Sequence, residues 1–319
     1  MNLNAKKQLS QIAWAYVLFL IVNRVASLIL TFLIRVLSFA LATSGILDPS
    51  FLFGTDASML LSLFIMYGIA FPFFVWKMNR IPSWTKTDKK TIPASDFAVL
   101  LIFCLGMTYI GNLIGQYLMA IAGSLSGTVQ ENPLDELITG MHLSVVFVST
   151  VLIAPVMEEL MFRKYLVDRL APFGQKTAVI LSGLSFGLFH GNCFQFFYAT
   201  MLGMVFAYLY SSTGRIRYNI ALHMIINFVG GVVPIFLADS TAVSGFLSLL
   251  ISIFFGAVAL ACMIIAIVIF CISIRKLKWF PRWVALEEPI VDVILKAPGV
   301  WFFLIMTGIS FVISWISGS

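Results

Sequence analysis

Two adjacent glutamates and an arginine lie within a strongly apolar stretch of the sequence. The run from Pro155 to Arg163 reads PVMEELMFR, and the sequence LSVVFVSTVLIA precedes it. Because these neighbours are too apolar for a loop, we expect a helix in lipid to carry Glu158 and Glu159. An ionisable side chain at membrane depth costs about 2.5 kcal/mol or more, and such residues usually face a polar cavity. The pair therefore predicts a functional site.

Arg163 follows Glu159 by four residues and Glu158 by five. On a helix, residues four apart share a face, whereas Glu158 is rotated by about 100° from Glu159. We therefore predict that Glu159 pairs with Arg163 and that Glu158 is left to act. The alternative is that the Arg163 side chain extends to the cytoplasmic surface of the membrane.

Two of the three histidines lie in later apolar segments where they could meet the glutamates. His190 ends the sequence FGLFH, and His223 begins the sequence HMIIN, which ends at Asn227. At the helical rise per residue, Glu158 and His190 each lie about 20 Å from the cytoplasmic end of their helices, so they reach the same depth. His223 lies about 9 Å from Arg217, nearer the cytoplasmic surface, and Asn227 is one turn deeper.

These side chains are suited to hydrolysis. A glutamate and a histidine beside a water molecule can remove its proton and direct it at a carbonyl carbon. A histidine and an asparagine amide are donors suited to the oxyanion that then develops. Because His223 and Asn227 are four residues apart, both donors lie on one helix face.

The patterns EExxxR, FxxxH and HxxxN occur in that order on separate predicted membrane helices. Together they resemble the three motifs of the CPBP family over about residues 144–234. This family, also called Abi, comprises the CAAX-processing and bacteriocin-processing intramembrane peptidases. The resemblance implies a glutamate-dependent endopeptidase. In it, Glu158 would be the water-activating base and His190 its helper. Glu159 and Arg163 would support the base, and His223 and Asn227 would be the oxyanion donors.

The substrate that this resemblance implies is a membrane-associated peptide or protein, such as a prenylated CAAX tail or a bacterial leader or signalling peptide. We expect no metal or other cofactor. The alternative is zinc held by Glu158, His190 and His223, since carboxylate and imidazole are ordinary zinc ligands, although the sequence has no HExxH pattern. We favour the metal-free site because Asn227 is a poor zinc ligand and no carboxylate is placed in sequence to orient either histidine.

Other functions remain open for the same residues. The carboxylates could form a proton relay in a transporter, or the protein could bind a peptide without cleaving it, as a bacteriocin immunity protein would. The sequence GLSFG around Ser185 fits the GxSxG pattern of serine hydrolases, with His223 as the base, but that pattern requires a strand–turn–helix context. Within a predicted apolar helix its small residues favour close packing. Phe186 is interpreted as a packing residue. Asn227, considered apart from His223, would be interpreted as a residue that forms a hydrogen bond between helices.

The composition indicates a polytopic membrane protein. The 319 residues are 61% hydrophobic and 11% charged, whereas soluble domains are about 25% charged. The four cysteines show no CxxC spacing, so neither a disulfide framework nor a zinc finger is indicated. We predict an all-α bundle of eight or nine transmembrane helices, in a single membrane domain over residues 1–319 with its catalytic core at 144–234. The nine apolar segments are about 12–42, 57–76, 97–122, 142–170, 177–190, 195–210, 218–237, 246–274 and 300–316.

The charge distribution predicts the topology, because lysine and arginine mark the cytoplasmic side. With a cytoplasmic N-terminus, the inner loops and the amphipathic connector 275–298 receive nearly all basic residues, and the acidic residues Asp48, Asp56, Glu131, Asp135, Glu136 and Asp239 fall outside. Arg24 and Arg35 lie within the first helix on one face, so we expect them to face inward or to extend to the helix ends. We expect a site open to the cytoplasm, a bacterial plasma membrane and no nucleic-acid partner.

Overall fold

The computed structural model describes residues 4–44, 54–84, 88–127, 132, 140–238 and 245–317. Within these ranges the secondary structure is entirely helical, and eight helices are long and apolar enough to cross a membrane. The predicted polytopic helical bundle is confirmed. Part of the topology argument depends on acidic residues that lie outside the described ranges: Asp48, Glu131, Asp135, Glu136 and Asp239.

We number the helices in chain order. The first four are α1 Ala5–Ser44, α2 Thr55–Met78, α3 Ala94–Ser126 and α4 Leu143–Phe173. The next three are α5 Gln175–Phe189, α6 Cys193–Thr213 and α7, which comprises Ile216–Asn227, Phe228–Val232 and Val233–Ala238. The last three are α8 Gly245–Ser273, α9 Ile290–Leu295 and α10 Pro298–Ser317.

Helix α5 explains why eight helices rather than nine qualify as spans. It has 15 residues and is therefore about 22 Å long, which is shorter than the hydrocarbon core of a bilayer. Gly174, with a φ of +97°, separates it from α4, and Gly191, with a φ of +70°, ends it. Residues with side chains rarely adopt these backbone conformations, so glycine fixes both ends of this short helix.

The chain divides into two compact units. The first comprises the described residues of Met1–Pro82, Leu134–Ser149 and Leu286–Met306. Its core is aromatic, because the Tyr16 ring lies edge-on to Phe74 and Phe303, with centroids 4.9 and 5.8 Å away. The Gly299 N–H donates to Ser10 Oγ at 3.0 Å, and a Cβ at Gly299 would lie 2.3 Å from the Ser10 carbonyl oxygen. Glycine therefore allows α10 to approach α1.

Arg24 and Arg35 are exposed on the second half of α1. The buried residues of this helix lie between Gln8 and Phe19, with Ser38 as the exception. The expectation that both arginines face inward is therefore wrong, because only the first half of α1 carries the packing within its unit. Their extension toward the membrane surfaces stays a prediction.

The second unit comprises the described residues of Ser83–Pro133, Thr150–Ala285 and Thr307–Ser319. Helix α3 packs closely on α6 and α8 through glycines. A Cβ at Gly111 would lie 2.5 Å from the Tyr198 Cα, and one at Gly106 would lie 2.2 Å from the Cys262 carbonyl oxygen. These distances are too short for any larger residue without a shift of the backbone, so the glycines set the helix spacing.

The GLSFG sequence lies inside α5, and its glycines face α6. A Cβ at Gly183 would lie 2.9 Å from the Thr200 carbonyl oxygen, and one at Gly187 would lie 2.0 Å from Thr200 Oγ1. Within the described residues no strand precedes Ser185. The interpretation of this sequence as a helix-packing element is confirmed, and the serine-hydrolase alternative loses its structural context.

Candidate active site

Helix α4 carries the two glutamates on a short α-helical segment between two π-helical ones. Glu158 and Glu159 end the α-helical Ala154–Glu159, which lies between π-helical Phe147–Ile153 and π-helical Leu160–Val167. Pro155 stands in the first turn of the α-helical segment and has no N–H to donate. π-helical turns in long helices are frequently found at functional sites, so this local geometry is consistent with a site at Glu158 and Glu159.

Glu159 and Arg163 form a fully buried ion pair. Arg163 Nε lies 3.0 Å from Glu159 Oε2, and neither side chain has any exposed surface. The guanidinium carbon lies 4.6 Å from the ring centroid of Phe186 and 5.3 Å from that of Phe206. The pairing predicted from the four-residue spacing is confirmed. Because Arg163 is held between these rings, it does not extend to the membrane surface.

His223 of α7 lies between the two glutamates. Its Nδ1 donates to Glu159 Oε1 at 2.9 Å, and its Nε2 lies 3.6 Å from Glu158 Oε2. The Glu158 side chain keeps 21% of its surface exposed, whereas His223 is buried. The estimate that placed His223 nearer the cytoplasmic end is wrong. That estimate assumed straight, parallel α-helices, and α4 is interrupted by π-helical turns.

His190 lies at the end of α5, beside the same group. Its Nδ1 lies 2.8 Å from the Phe186 carbonyl oxygen and donates to it, which leaves Nε2 as the acceptor. The Phe186 ring is edge-on to His190 and to His223, with centroids 4.9 and 5.9 Å away. The Glu158 carboxylate also acts electrostatically on the His190 ring. Phe186 therefore packs between the two imidazoles.

Asn227 connects α7 to α4. Its Nδ2 donates to the Thr150 carbonyl oxygen at 2.8 Å. Thr150 belongs to a π-helical segment, where a carbonyl oxygen accepts from the N–H five residues later. For Thr150 that residue is Pro155, which has no N–H to donate. The interhelical hydrogen bond considered for Asn227 is therefore present. Its role as an oxyanion donor stays a prediction.

Two positioning residues were not identified from the sequence. Ser182 Oγ donates to the Phe162 carbonyl oxygen at 2.9 Å and joins α5 to α4, and both residues are buried. Asn219 Nδ2 donates to the Phe206 carbonyl oxygen at 2.7 Å and joins α7 to α6. Each is a polar residue within a largely apolar helix, which is the signal that could have found it.

The alternative zinc site would use Glu158, His190 and His223 as ligands. Across the described parts of the chain, no three or more histidine, cysteine, aspartate or glutamate side chains are grouped as a metal site. Glu159, however, bonds Nδ1 of His223, as a carboxylate often does for a metal-bound histidine. The argument that no carboxylate orients a histidine is therefore wrong, and the metal-free site stays a prediction.

Comparisons with known proteins point to a membrane peptidase family. Residues 140–229 match a family described as Rce1-like, type II CAAX prenyl endopeptidase Rce1-like. The chain is also 28% identical over 127 residues to the "Putative membrane peptidase YdiL" of Bacillus subtilis (strain 168). That alignment covers 37% of this chain and 51% of the relative, so the chain spans about half of that protein's length. No solved structure matches the chain.

The matched segment holds every site residue named above, from Glu158 to Asn227. At the level of the family, this segment is similar to CAAX-type membrane endopeptidases. The resemblance to the CPBP group is thus confirmed for this part of the chain. The roles of the individual residues stay predictions.

Proposed function

We propose that this protein is an intramembrane endopeptidase that cleaves a membrane-associated peptide with a water molecule activated by Glu158. The observation that supports it most is the contrast between the two glutamates. Glu159 is fully buried and neutralised by Arg163, whereas Glu158 is partly exposed beside His223. Two neighbouring carboxylates with such different surroundings can take different roles, one structural and one chemical.

Water activation falls to Glu158 and His190. Glu158 accepts a proton from the water, and the resulting hydroxide attacks the carbonyl carbon of the peptide bond. Because His190 donates Nδ1 to the Phe186 carbonyl, its Nε2 can accept the second proton of that water in a hydrogen bond. His190 would therefore orient the nucleophile, and Glu158 would later return its proton to the leaving amine.

The oxyanion falls to His223 and Asn227. With both ring nitrogens protonated, His223 donates Nδ1 to Glu159 and directs Nε2–H toward Glu158 and the substrate carbonyl beside it. Asn227 uses one amide proton on Thr150 and retains a second one for the oxyanion. Such fixed donors stabilise developing negative charge without having to reorganise during the reaction.

The proposed setting is an integral membrane protein of a bacterial plasma membrane, with the site open to the cytoplasm. The basic loops support this orientation. The family to which the matched segment points acts on prenylated CAAX sequences by its printed description. We therefore propose a peptide carrying a prenyl group as the first substrate class to examine. Leader and signalling peptides are the second class.

The test is peptide cleavage by full-length protein in proteoliposomes. A farnesylated CAAX peptide with a fluorophore and a quencher, and the same peptide without the lipid, would be incubated with the parent and with Glu158→Gln. We expect the variant to lose about 10²-fold to 10⁴-fold in rate, since it lacks the general base. Glu287→Gln is the matched control, because Glu287 is an exposed glutamate outside the site.

Binding measured in parallel separates an enzyme from a binder. Under our proposal, Glu158→Gln keeps its affinity for the peptide and loses only turnover, which fluorescence anisotropy would report. A parent protein that binds the peptide without cleaving it would instead support the non-catalytic function. Equal cleavage by parent and Glu158→Gln would refute the role of this carboxylate.

A further inference from the structure

Residues 275–284, here called the strap, follow α8 and lie against the turn that joins α4 to α5. The Phe280 N–H donates to Gln175 Oε1 at 3.0 Å, and the Gln175 N–H donates to the Phe280 carbonyl at 3.1 Å. The Trp283 N–H donates to the Pro172 carbonyl at 3.0 Å. The strap is therefore bound at specific positions to the end of the helix that carries the candidate base.

The anchor itself is buried. Gln175 has only 3% of its surface exposed, and its Nε2 donates to the hydroxyls of Ser211 and Ser212, each at 2.9 Å. At Gly174 a Cβ would lie 3.3 Å from the Arg282 nitrogen, so the turn and the strap are in close contact. This glutamine uses both its amide and its backbone N–H to hold three segments together.

The outer side of the strap is basic and aromatic. Its sequence RKLKWFPRWV contains four cationic residues and no acidic one. Three aromatic residues are 38%, 46% and 61% exposed: Trp279, Phe280 and Trp283. The four cationic residues are also exposed: Arg275, Lys276, Lys278 and Arg282. Tryptophan beside lysine and arginine is the composition found where a protein contacts the headgroup region of a bilayer.

We propose that the strap binds the headgroups of anionic phospholipids. The cationic side chains match the negative headgroups, and the aromatic rings would insert at the boundary with the acyl chains. The sequence also places the strap directly after a helix long enough to span the membrane, so it emerges at the bilayer surface. An acidic peptide would match the charges but would offer no apolar phase for the exposed surface of Trp283.

The bound lipid would stabilise the end of the candidate active site. Because the strap donates to Pro172 and Gln175, holding it against the membrane strengthens the turn between α4 and α5. Glu158 lies on α4, and α5 ends at His190. The proposal goes beyond the peptidase function and does not depend on it, since lipid binding is measured without substrate.

The first experiment measures retained lipid. Full-length protein in neutral detergent would be titrated with phosphatidylglycerol or phosphatidylcholine and examined by native mass spectrometry. We expect the parent to retain phosphatidylglycerol selectively, and Lys276→Gln/Lys278→Gln to weaken its affinity by about 25-fold at low ionic strength, or about fivefold for each charge. The control is Lys89→Gln/Lys90→Gln, which removes two exposed charges elsewhere and should leave the affinity near the parental value.

The second experiment measures hydrogen exchange at the Phe280 and Trp283 amides. Phosphatidylglycerol should slow their exchange in the parent and not in the strap variant. Equal retention of both lipids, or equal loss in both double variants, would overturn the proposal. Tight binding of a polyglutamate peptide that Trp283→Ala leaves unchanged would overturn it in favour of an acidic peptide partner.

Discussion

Removal of the Arg163 charge should destabilise the protein strongly, because it leaves the buried Glu159 carboxyl group without its cationic partner. Both side chains are fully buried, and the guanidinium also lies over the rings of Phe186 and Phe206. Breaking a buried ion pair by removing one partner typically costs about 3–5 kcal/mol, and a cation–π contact adds about 0.5–2 kcal/mol. For Arg163→Met we therefore expect a loss of about 3.5–7 kcal/mol in the free energy of unfolding.

The double variant Glu159→Gln/Arg163→Met provides the decisive comparison. It removes both charges, while the glutamine oxygen can still accept the hydrogen bond from His223 Nδ1. Replacing a buried pair by neutral residues of similar size is often close to neutral. We therefore expect the double variant to recover most of the stability lost in Arg163→Met, which is a non-additive result.

The assay is reversible unfolding of the full-length protein in mixed micelles, for the parent, both single variants and the double variant. Arg163→Lys belongs in the same series, because a point charge reproduces neither the planar contact with the two rings nor the geometry of the guanidinium. Parental stability in Arg163→Met, or losses in the double variant that equal the sum of the single ones, would refute the argument that the two charges support each other.

Three further expectations concern packing, metal and topology. Ser185→Ala should leave cleavage at the parental rate. Gly187→Ala should lower the unfolding free energy by about 1–3 kcal/mol because its Cβ meets α6. Gly230→Ala, which has open space around it, is the control when the two glycine variants are compared by melting. Cleavage should survive dialysis against a strong chelator, and activity that vanishes with stoichiometric zinc and returns on its addition would overturn the metal-free site. A cysteine at Lys89 should react with a membrane-impermeant maleimide only from the cytoplasmic side and one at Ser124 only from outside, and the reverse labelling pattern would overturn the charge argument.

The sequence predicts most of the helices and one of the contacts in the site. Apolar length determines a membrane helix almost alone, and a four-residue spacing determines which side chains of one helix meet. This is why the Glu159–Arg163 pair was predictable. Both arguments use positions along a single helix and need no knowledge of its neighbours.

Contacts between helices were not predictable in the same way. His223 was grouped with Asn227 from spacing, and its bond to Glu159 depends on the relative height of α4 and α7, which no spacing gives. The inward orientation considered for Arg24 was wrong for a related reason, whereas its extension to the helix end stays a prediction. The sequence indicates that a residue lies within a helix, but which part of that helix has packing partners depends on the tertiary arrangement.

The alternation of helix types along α4 has a consequence for mutational scanning. In a scan of Leu143–Phe173, the tolerance of each position to substitution should not repeat with one continuous 3.6-residue period. Each π-helical segment takes more residues for a turn, so the phase of this periodic tolerance should shift at Phe147–Ile153 and again at Leu160–Val167. Tolerant and intolerant positions would then exchange sides of a conventional helical wheel on crossing each segment, and Glu158 and Glu159 lie in the short interval between the two shifts.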